Sequence, residues 1–405
     1  MKKIVVVAYD LNPALGSECA VAAIWVEILS KYFDVYVFVN KKHKKDIEKD
    51  EKIIKANFIY IEVNQKYSWL YRFLGLEYFV DYRAFVKACY SQLNALINKH
   101  EIKLIHCLTP EGVYYFNSFY KFGIPVCIGP VGGGLQFFIS TWKAYRGQHF
   151  AYLVKNIVCR YMKLLPSWKK YFQSAVLIIV GTRYMKPVLP SDCQSRIVEI
   201  FDTAIRFDKI ADDNKKERTG DIIRVIFAGR LTAHKGIWLA IDAVKRFLEI
   251  GGRNIVLDIF GKGPLYKRLA KYVKNEGLSS HINIIGQVPY EEYKTLFVKY
   301  DILLYPALQD PGGTVVLDAM ANSLPVICLA YGGPDISILE NCGIKIPLAR
   351  YDDMVDAIAT ALELLSKNRN LFKKMGENAR KRVEQKFSLG ALEKKILEVY
   401  DEVLT

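Results

Sequence analysis

A chain of 405 residues, 51% hydrophobic and 24% charged, is too long for one ordinary core and too apolar to be disordered, so two domains are expected. Its net charge of +15 is uneven: residues 1–205 hold 27 Lys/Arg against 16 Asp/Glu, and residues 206–405 hold 30 against 26. That basic first half suits a polyanionic or membrane-surface partner, or is plain solubility charge, and the eight Cys form no CxxC or Cys/His cluster, which argues for a reducing compartment and against structural zinc.

In chain order, the start Met1–Lys2–Lys3 leads straight into IVVVAY (4–9), a buried parallel strand by composition and too short for a leader's apolar region. The loop DLNPALGSE follows, then AVAAIWVEILSKYF with apolar residues at helical spacing. This is an opening βα unit, but its loop is not G-x-G-x-x-G, so a dinucleotide is not indicated. Strand-like runs recur at 35–39, 58–63, 102–108, 125–130, 175–181 and 196–200, with helix-compatible segments between most of them. A parallel sheet covered by helices on both faces is expected.

Two segments break the alternation. Residues 66–90 are rich in aromatics, and residues 142–172 hold seven Lys/Arg and no Asp/Glu among aromatics. The second composition fits an interfacial membrane-contact helix, a core helix with a basic solvated face, or, least well, a nucleic-acid surface; no nucleic acid is expected as a partner. No run of about 18 uncharged apolar residues predicts a spanning helix. Around 201–216 the pattern lapses into polar residues, a linker. It then restarts with strand-like runs at 224–229, 256–263, 282–288, 301–307, 325–330 and 343–347, again alternating with helices. Residues 352–386 read as helices, and 389–403 as a last amphipathic one.

Ligands of parallel sheets bind at the C-terminal ends of the strands. In the second half that edge presents Arg230 and Lys235, bracketed by glycines, which suit a diphosphate. It also presents Gly261 and Gly263, a tight turn or a place where a base comes close to the backbone. Last comes DPGGTVVLDAM, where Asp310 and Asp318 flank Gly312, Gly313 and Thr314. Amides at a helix start attract an anion, while the two carboxylates suit sugar and ribose hydroxyls. In the first half the edge presents Gly16, Glu18, His106, Thr109, Glu111 and Gly133. His106 is either a core residue or a catalyst. Six His without metal-ligand spacing predict no metal site, and neither G-x-S-x-G nor a Walker A is present.

Over essentially its whole length, and most closely over 223–335, the chain resembles glycosyltransferase family 4. The resemblance rests on GRLTAHKG, on Asp310-x7-Asp318 in place of E-x7-E, on ANSLPVI, and on GSE, HCLTP and GPVGGG in the first half. Both acids of E-x7-E are Asp here, and Ser323 stands where a glycine is usual. The resemblance implies an α/β GT-B fold: two doubly wound Rossmann-like domains facing across a cleft, with a C-terminal helix crossing back to the first domain. The first, acceptor-binding domain is expected over 1–203 plus 388–405, and the donor-binding domain over 204–387. By the same resemblance Arg230 and Lys235 bind the donor diphosphate, Asp318 the ribose and Asp310 the donor sugar. Gly312, Gly313 and Thr314 meet sugar or phosphate, Gly16 faces the diphosphate, and His106 lies near the reacting centre. Glu18, Thr109, Glu111 and Gly133 are the acceptor-side candidates.

The implied activity is retaining, metal-independent transfer of a sugar from a nucleotide-diphosphate sugar, with no cofactor. The acceptor is a saccharide or a lipid-linked acceptor of surface polysaccharide or glycoconjugate assembly. The setting is cytoplasmic, at the inner face of the membrane if residues 142–172 touch it. A nucleotide-sugar epimerase of the same fold, or a non-catalytic basic adaptor for membranes or nucleic acid, are the alternatives.

Overall fold

The computed structural model describes residues 1–16, 18–53, 55–63, 77–207 and 222–404, and every one of the strand-like runs contains a strand. Residues 208–216 of the expected linker, residues 66–76 of the aromatic segment, and Ser17 lie outside the described residues.

The first sheet contains β1 (Lys3–Ala8), β2 (Asp34–Asn40), β3 (Asn57–Ile61), β4 (Ile102–Thr109), β5 (Val126–Val131), β6 (Leu177–Val180) and β7 (Ile197–Glu199), in the order β3-β2-β1-β4-β5-β6-β7. The second contains β8 (Ile223–Ala228), β9 (Ile255–Phe260), β10 (Ile282–Gly286), β11 (Ile302–Tyr305), β12 (Val326–Leu329) and β13 (Gly343–Ile346), in the order β10-β9-β8-β11-β12-β13. All pairings are parallel. In both sheets the chain builds outward through three strands and then crosses back to the other side of the first, so each has a switch point, between β1 and β4 in one and between β8 and β11 in the other. Such a point opens a crevice at the carboxyl ends of the strands.

Continuous apolar runs form the central strands because helices cover both faces; in β1, Ile4 to Ala8 are all fully buried. Helices of eight or more residues are numbered here as α1 (Glu18–Tyr32), α2 (Glu77–Lys99), α3 (His149–Met162), α4 (Pro166–Gln173), α5 (Ile237–Glu249), α6 (Tyr266–Asn275), α7 (Thr314–Ala321), α8 (Tyr351–Lys367), α9 (Arg369–Lys386) and α10 (Leu389–Leu404).

Two compact units result. One holds Met1–Gly134, Cys159–Thr203 and Glu393–Thr405; the other holds Leu135–Val158 and Ala204–Leu392. The expected first domain, running unbroken through 1–203, therefore differs from the observed division at Leu135–Val158. The reason lies in Arg146. Its guanidinium sits 4.4 Å from the centre of the Trp238 ring, donates to Asp242 at 2.6 Å and to the Tyr351 hydroxyl at 3.0 Å, and its carbonyl accepts from the Trp238 indole at 3.0 Å. A cation stacked on aromatics and paired with a carboxylate is a strong anchor. It ties this stretch to α5 and α8.

Candidate active site

At the switch point of the second sheet, the chain leaving β8 forms the loop Gly229–Gly236, and the chain leaving β11 runs through Pro306 to Asp310. The two lie in direct backbone contact. A Cβ on Gly236 would stand 1.8 Å from the Pro306 carbonyl oxygen, and Gly236 has φ +73°, so only glycine fits there. Gly261 and Gly263 serve the same purpose. Their Cβ positions lie 1.9 Å from the Gly229 oxygen and 2.5 Å from the Leu231 oxygen, so their closest partner is the neighbouring loop of the protein itself.

Asp310 is the centre of this edge. It is buried, yet every contact on it is compensated: the Lys235 ammonium lies 2.7 Å from Oδ2, the Tyr305 hydroxyl donates to the same oxygen at 2.6 Å, and the Gly313 amide donates to Oδ1 at 3.1 Å. Burial alone would raise the carboxyl; the Lys235 charge, followed by these hydrogen bonds, outweighs it and holds Asp310 below the ordinary carboxylate range. Sequence reasoning gave Lys235 and Asp310 separate parts of a ligand, and the structure joins them as one ion pair. Arg230, by contrast, is exposed, and its charge is felt at the Tyr305 and Tyr152 hydroxyls.

Gly313 caps α7 in the left-handed conformation (φ +71°), so the helix begins at Thr314. Asp318 is consequently the fifth residue of α7, not its start, and has no dipole role there. It is half-buried, with the Tyr293 hydroxyl donating to Oδ2 at 2.7 Å, and burial pushes its carboxyl up to about 6 in spite of that bond. Gly312 and Thr314, both half-buried, flank the cap.

The loop carrying Arg230 and Lys235 is held from outside by α3 and the residue before it. Gln148 Oε1 accepts the Ala233 amide at 2.7 Å, and the Tyr152 hydroxyl bonds His234 Nδ1. The His234 carbonyl in turn accepts the Leu308 amide at 2.8 Å and the Gln309 amide at 3.2 Å. Neither this chain of contacts nor Tyr293 and Tyr305 emerged from sequence reasoning. Tyr305 carried the only usable signal, a hydroxyl-bearing residue closing the apolar run of β11 five positions before Asp310.

In the first unit, the expected acceptor-side residues gather at the β1/β4 switch point. Glu18, first in α1, accepts the Glu111 amide at 2.6 Å. The Glu111 carbonyl accepts the Gly132 and Gly133 amides at 3.0 and 3.3 Å, and Gly133 pairs with Gly112. Thr109 is buried, exchanging hydrogen bonds of 3.0 and 3.1 Å with the Asp10 backbone. Asp10 was not singled out by sequence. It accepts from Tyr78 and lies 3.0 Å from Lys42 and 3.2 Å from His43; against burial, its bonds to His43, Tyr78 and Lys42 keep it below the usual carboxylate range. Gly16 is exposed, and a Cβ there would meet nothing within 4 Å.

His106 does not belong to this edge. It is fully buried in β4, its Nε2 against the Gly129 carbonyl and its Nδ1 against the Tyr400 hydroxyl of α10, with Trp25 edge-on. Burial lowers its pKa to about 4, so it is a neutral core residue with both nitrogens engaged. The catalytic role expected of it has no support in this position. Among the described residues, no three His, Cys, Asp or Glu side chains converge in a way that would hold a metal ion.

Comparison with known proteins bears on both units. Residues 208–382 match the family model described as glycosyl transferases group 1. An uncharacterized glycosyltransferase of Methanocaldococcus jannaschii is 26% identical over 77% of this chain and 81% of its own. Among solved structures, sucrose-phosphate synthase from Thermosynechococcus elongatus superimposes with TM-score 0.70 at 17% identity, covering 100% of this chain and 99% of that one. HepE of Anabaena, solved in complex with UDP and glucose, gives 0.63 at 14% identity over 99% and 100%. At such identities the structural likeness speaks for the fold, two parallel-sheet Rossmann-like domains of GT-B type, while the family match speaks for a glycosyl transferase group 1 region over residues 208–382, in line with the glycosyltransferases that the chain is similar to.

Proposed function

We propose that this glycosyltransferase moves a sugar from a nucleotide-diphosphate sugar to a saccharide or lipid-linked acceptor. Transfer proceeds with retention and without a metal ion, in surface polysaccharide or glycoconjugate assembly at the inner face of a membrane. The observation that carries the reading is the group at the β8/β11 switch point: exposed Arg230, the Lys235–Asp310 pair, and the first amides of α7. The first N–H groups of a helix lack intrahelical partners and, with two cations beside them, can take the charge of a leaving diphosphate. HepE, of like fold, was solved with UDP and glucose, which supports a nucleotide sugar as the ligand. In this reading Asp318 accepts ribose hydroxyls. Asp310 orients Lys235 and meets the donor sugar, and the leaving diphosphate takes the acceptor's proton. Glu18, Thr109, Glu111 and Gly133 line the acceptor side with Asp10. An epimerase would need an acid or base at the sugar carbon, and His106 is too deep to be one.

Arg230 is the residue for the test, because it is exposed and its loss leaves the Asp310 cluster intact. In a thermal-shift panel of UDP, GDP and ADP, at least one is expected to raise the melting temperature. Arg230→Ala should leave the unliganded melting temperature unchanged and weaken that ligand roughly 10- to 100-fold, the worth of a charge-assisted phosphate contact. Unchanged affinity would remove the donor site. Sugar isomerisation without acceptor would favour the epimerase, inverted product stereochemistry by NMR would refute retention, and loss of turnover in EDTA would refute metal independence.

A further inference from the structure

α3 turns its apolar side chains outward. Phe150 is 78% exposed, Ile157 47% and Tyr161 67%, with Leu153, Val154 and Val158 also exposed between them. Positions 150, 153, 154, 157, 158 and 161 follow helical spacing, so they form one stripe along one face of a single helix. Tyr152, buried at 8% exposure, lies off that stripe and reaches His234. Just past the helix, Leu164 is 73% exposed. A continuous apolar stripe of this kind marks an interaction surface, whereas scattered exposed apolar residues do not.

Charge decides what covers it. Residues 142–172 carry seven Lys/Arg and no Asp/Glu. Lys143 and Arg146 are paired with Asp352 and Asp242 at 2.6 Å, while Arg160 is exposed in the last turn of α3, beside the stripe, and Lys163, half-buried, directly follows the helix. A second copy docking by this face would bring like charges together, which disfavours a self-contact. A surface of anionic headgroups over acyl chains complements both the stripe and the cations. Among the described residues no helix is long and apolar enough to cross a membrane, so α3 would lie on a bilayer, not span it.

We propose that α3 docks in the interface of an anionic lipid bilayer, with Phe150, Ile157 and Tyr161 at the headgroup–acyl boundary and Arg160 and Lys163 against lipid phosphates. This deepens, and rests on, the reading of an enzyme working at a membrane face. It also narrows the contact from 142–172 to α3 and Leu164, since Lys143 and Arg146 are engaged within the protein.

The test is flotation of the full chain with vesicles of phosphatidylcholine alone or with phosphatidylglycerol. The expected result is flotation with the anionic vesicles and at least tenfold less with phosphatidylcholine. Phe150→Ser/Ile157→Ser/Tyr161→Ser should weaken binding at least about 100-fold, three apolar anchors being lost. Arg160→Gln/Lys163→Gln should weaken it roughly 10- to 30-fold, at about fivefold per cation. All three substituted apolar residues are exposed, so melting temperature and nucleoside-diphosphate shift should match the parent and certify the fold. Flotation that is absent in the parent, indifferent to anionic lipid, or unchanged in the triple variant overturns the proposal. So does a self-associating parent made monomeric by the triple variant. A normal nucleotide shift without flotation sinks only the membrane contact, whereas flotation without any nucleotide shift sinks the donor reading instead.

Discussion

Asp318 carries the sharpest consequence at the scale of single residues. Its carboxyl titrates near 6 in the folded chain against an ordinary value of 3.8. Between those values the folded state holds more proton than the unfolded one. Stability therefore declines as pH rises from about 4 to 6 and stays at the lower level above. Asp318→Asn, which can still accept the Tyr293 bond, removes that charge. Discounting for partial exposure, it should stabilise the protein by about 1–2 kcal/mol at pH 7.5 and by almost nothing below about pH 4. Urea denaturation at the two pH values checks this, and equal stability of parent and variant at pH 7.5 would mean that the carboxylate is solvated in the folded protein. The spacing of the two Asp was legible in the sequence, because a short motif lies within one loop and one helix. Their environments were not, since Tyr293 and Lys235 reach them from other elements. Ser323 was legible in a different way: it stands where the family has glycine and takes φ +55°, the left-handed conformation that glycine would adopt more easily.

Among the elements, the strands were the most legible part, because a parallel strand buried on both faces is a continuous apolar run whatever its neighbours are. The stretch 135–158 was the least legible. Its composition indicates cations and aromatics, but only long-range contacts show that Arg146 is spent on Trp238, Asp242 and Tyr351 and that Gln148 and Tyr152 brace the Arg230–Lys235 loop. This bracing makes Arg146 a positioning residue. Arg146→Ala should cost about 2–4 kcal/mol, losing a partly buried cation–π contact and leaving Asp242 beside the Tyr351 hydroxyl without its cation. It should also weaken nucleoside-diphosphate binding severalfold through the loosened loop. Arg146→Lys, which keeps the charge but not the planar stacking, should fall between. Denaturation curves and ligand-induced melting shifts measured on the same proteins separate the two effects. An Ala variant with parental stability would show that something other than Arg146 holds the segment.

For the molecule as a whole, connectivity matters more than either sheet, because the chain passes between the two units four times and its end returns to the first. The returning helix, α10, is part of that unit's core. Ile396 and Tyr400 are fully buried, Glu393 binds Lys31 at 2.7 Å and Tyr32 at 2.6 Å, and Tyr400 closes the Nδ1 side of His106. The same contact that takes His106 out of the chemistry therefore makes it depend on the last residues of the chain. Tyr400→Ala should destabilise the first unit by about 3–5 kcal/mol, through a large cavity and a buried histidine nitrogen left without its donor. Tyr400→Phe, which keeps the packing, should lose only the hydrogen bond, about 1–2 kcal/mol. Removing 393–405 altogether should leave the first unit open to proteolysis within residues 1–134 and 159–203, while fragments of the second resist. Parental melting and protease resistance in the truncated chain would show that the first sheet's core closes without α10.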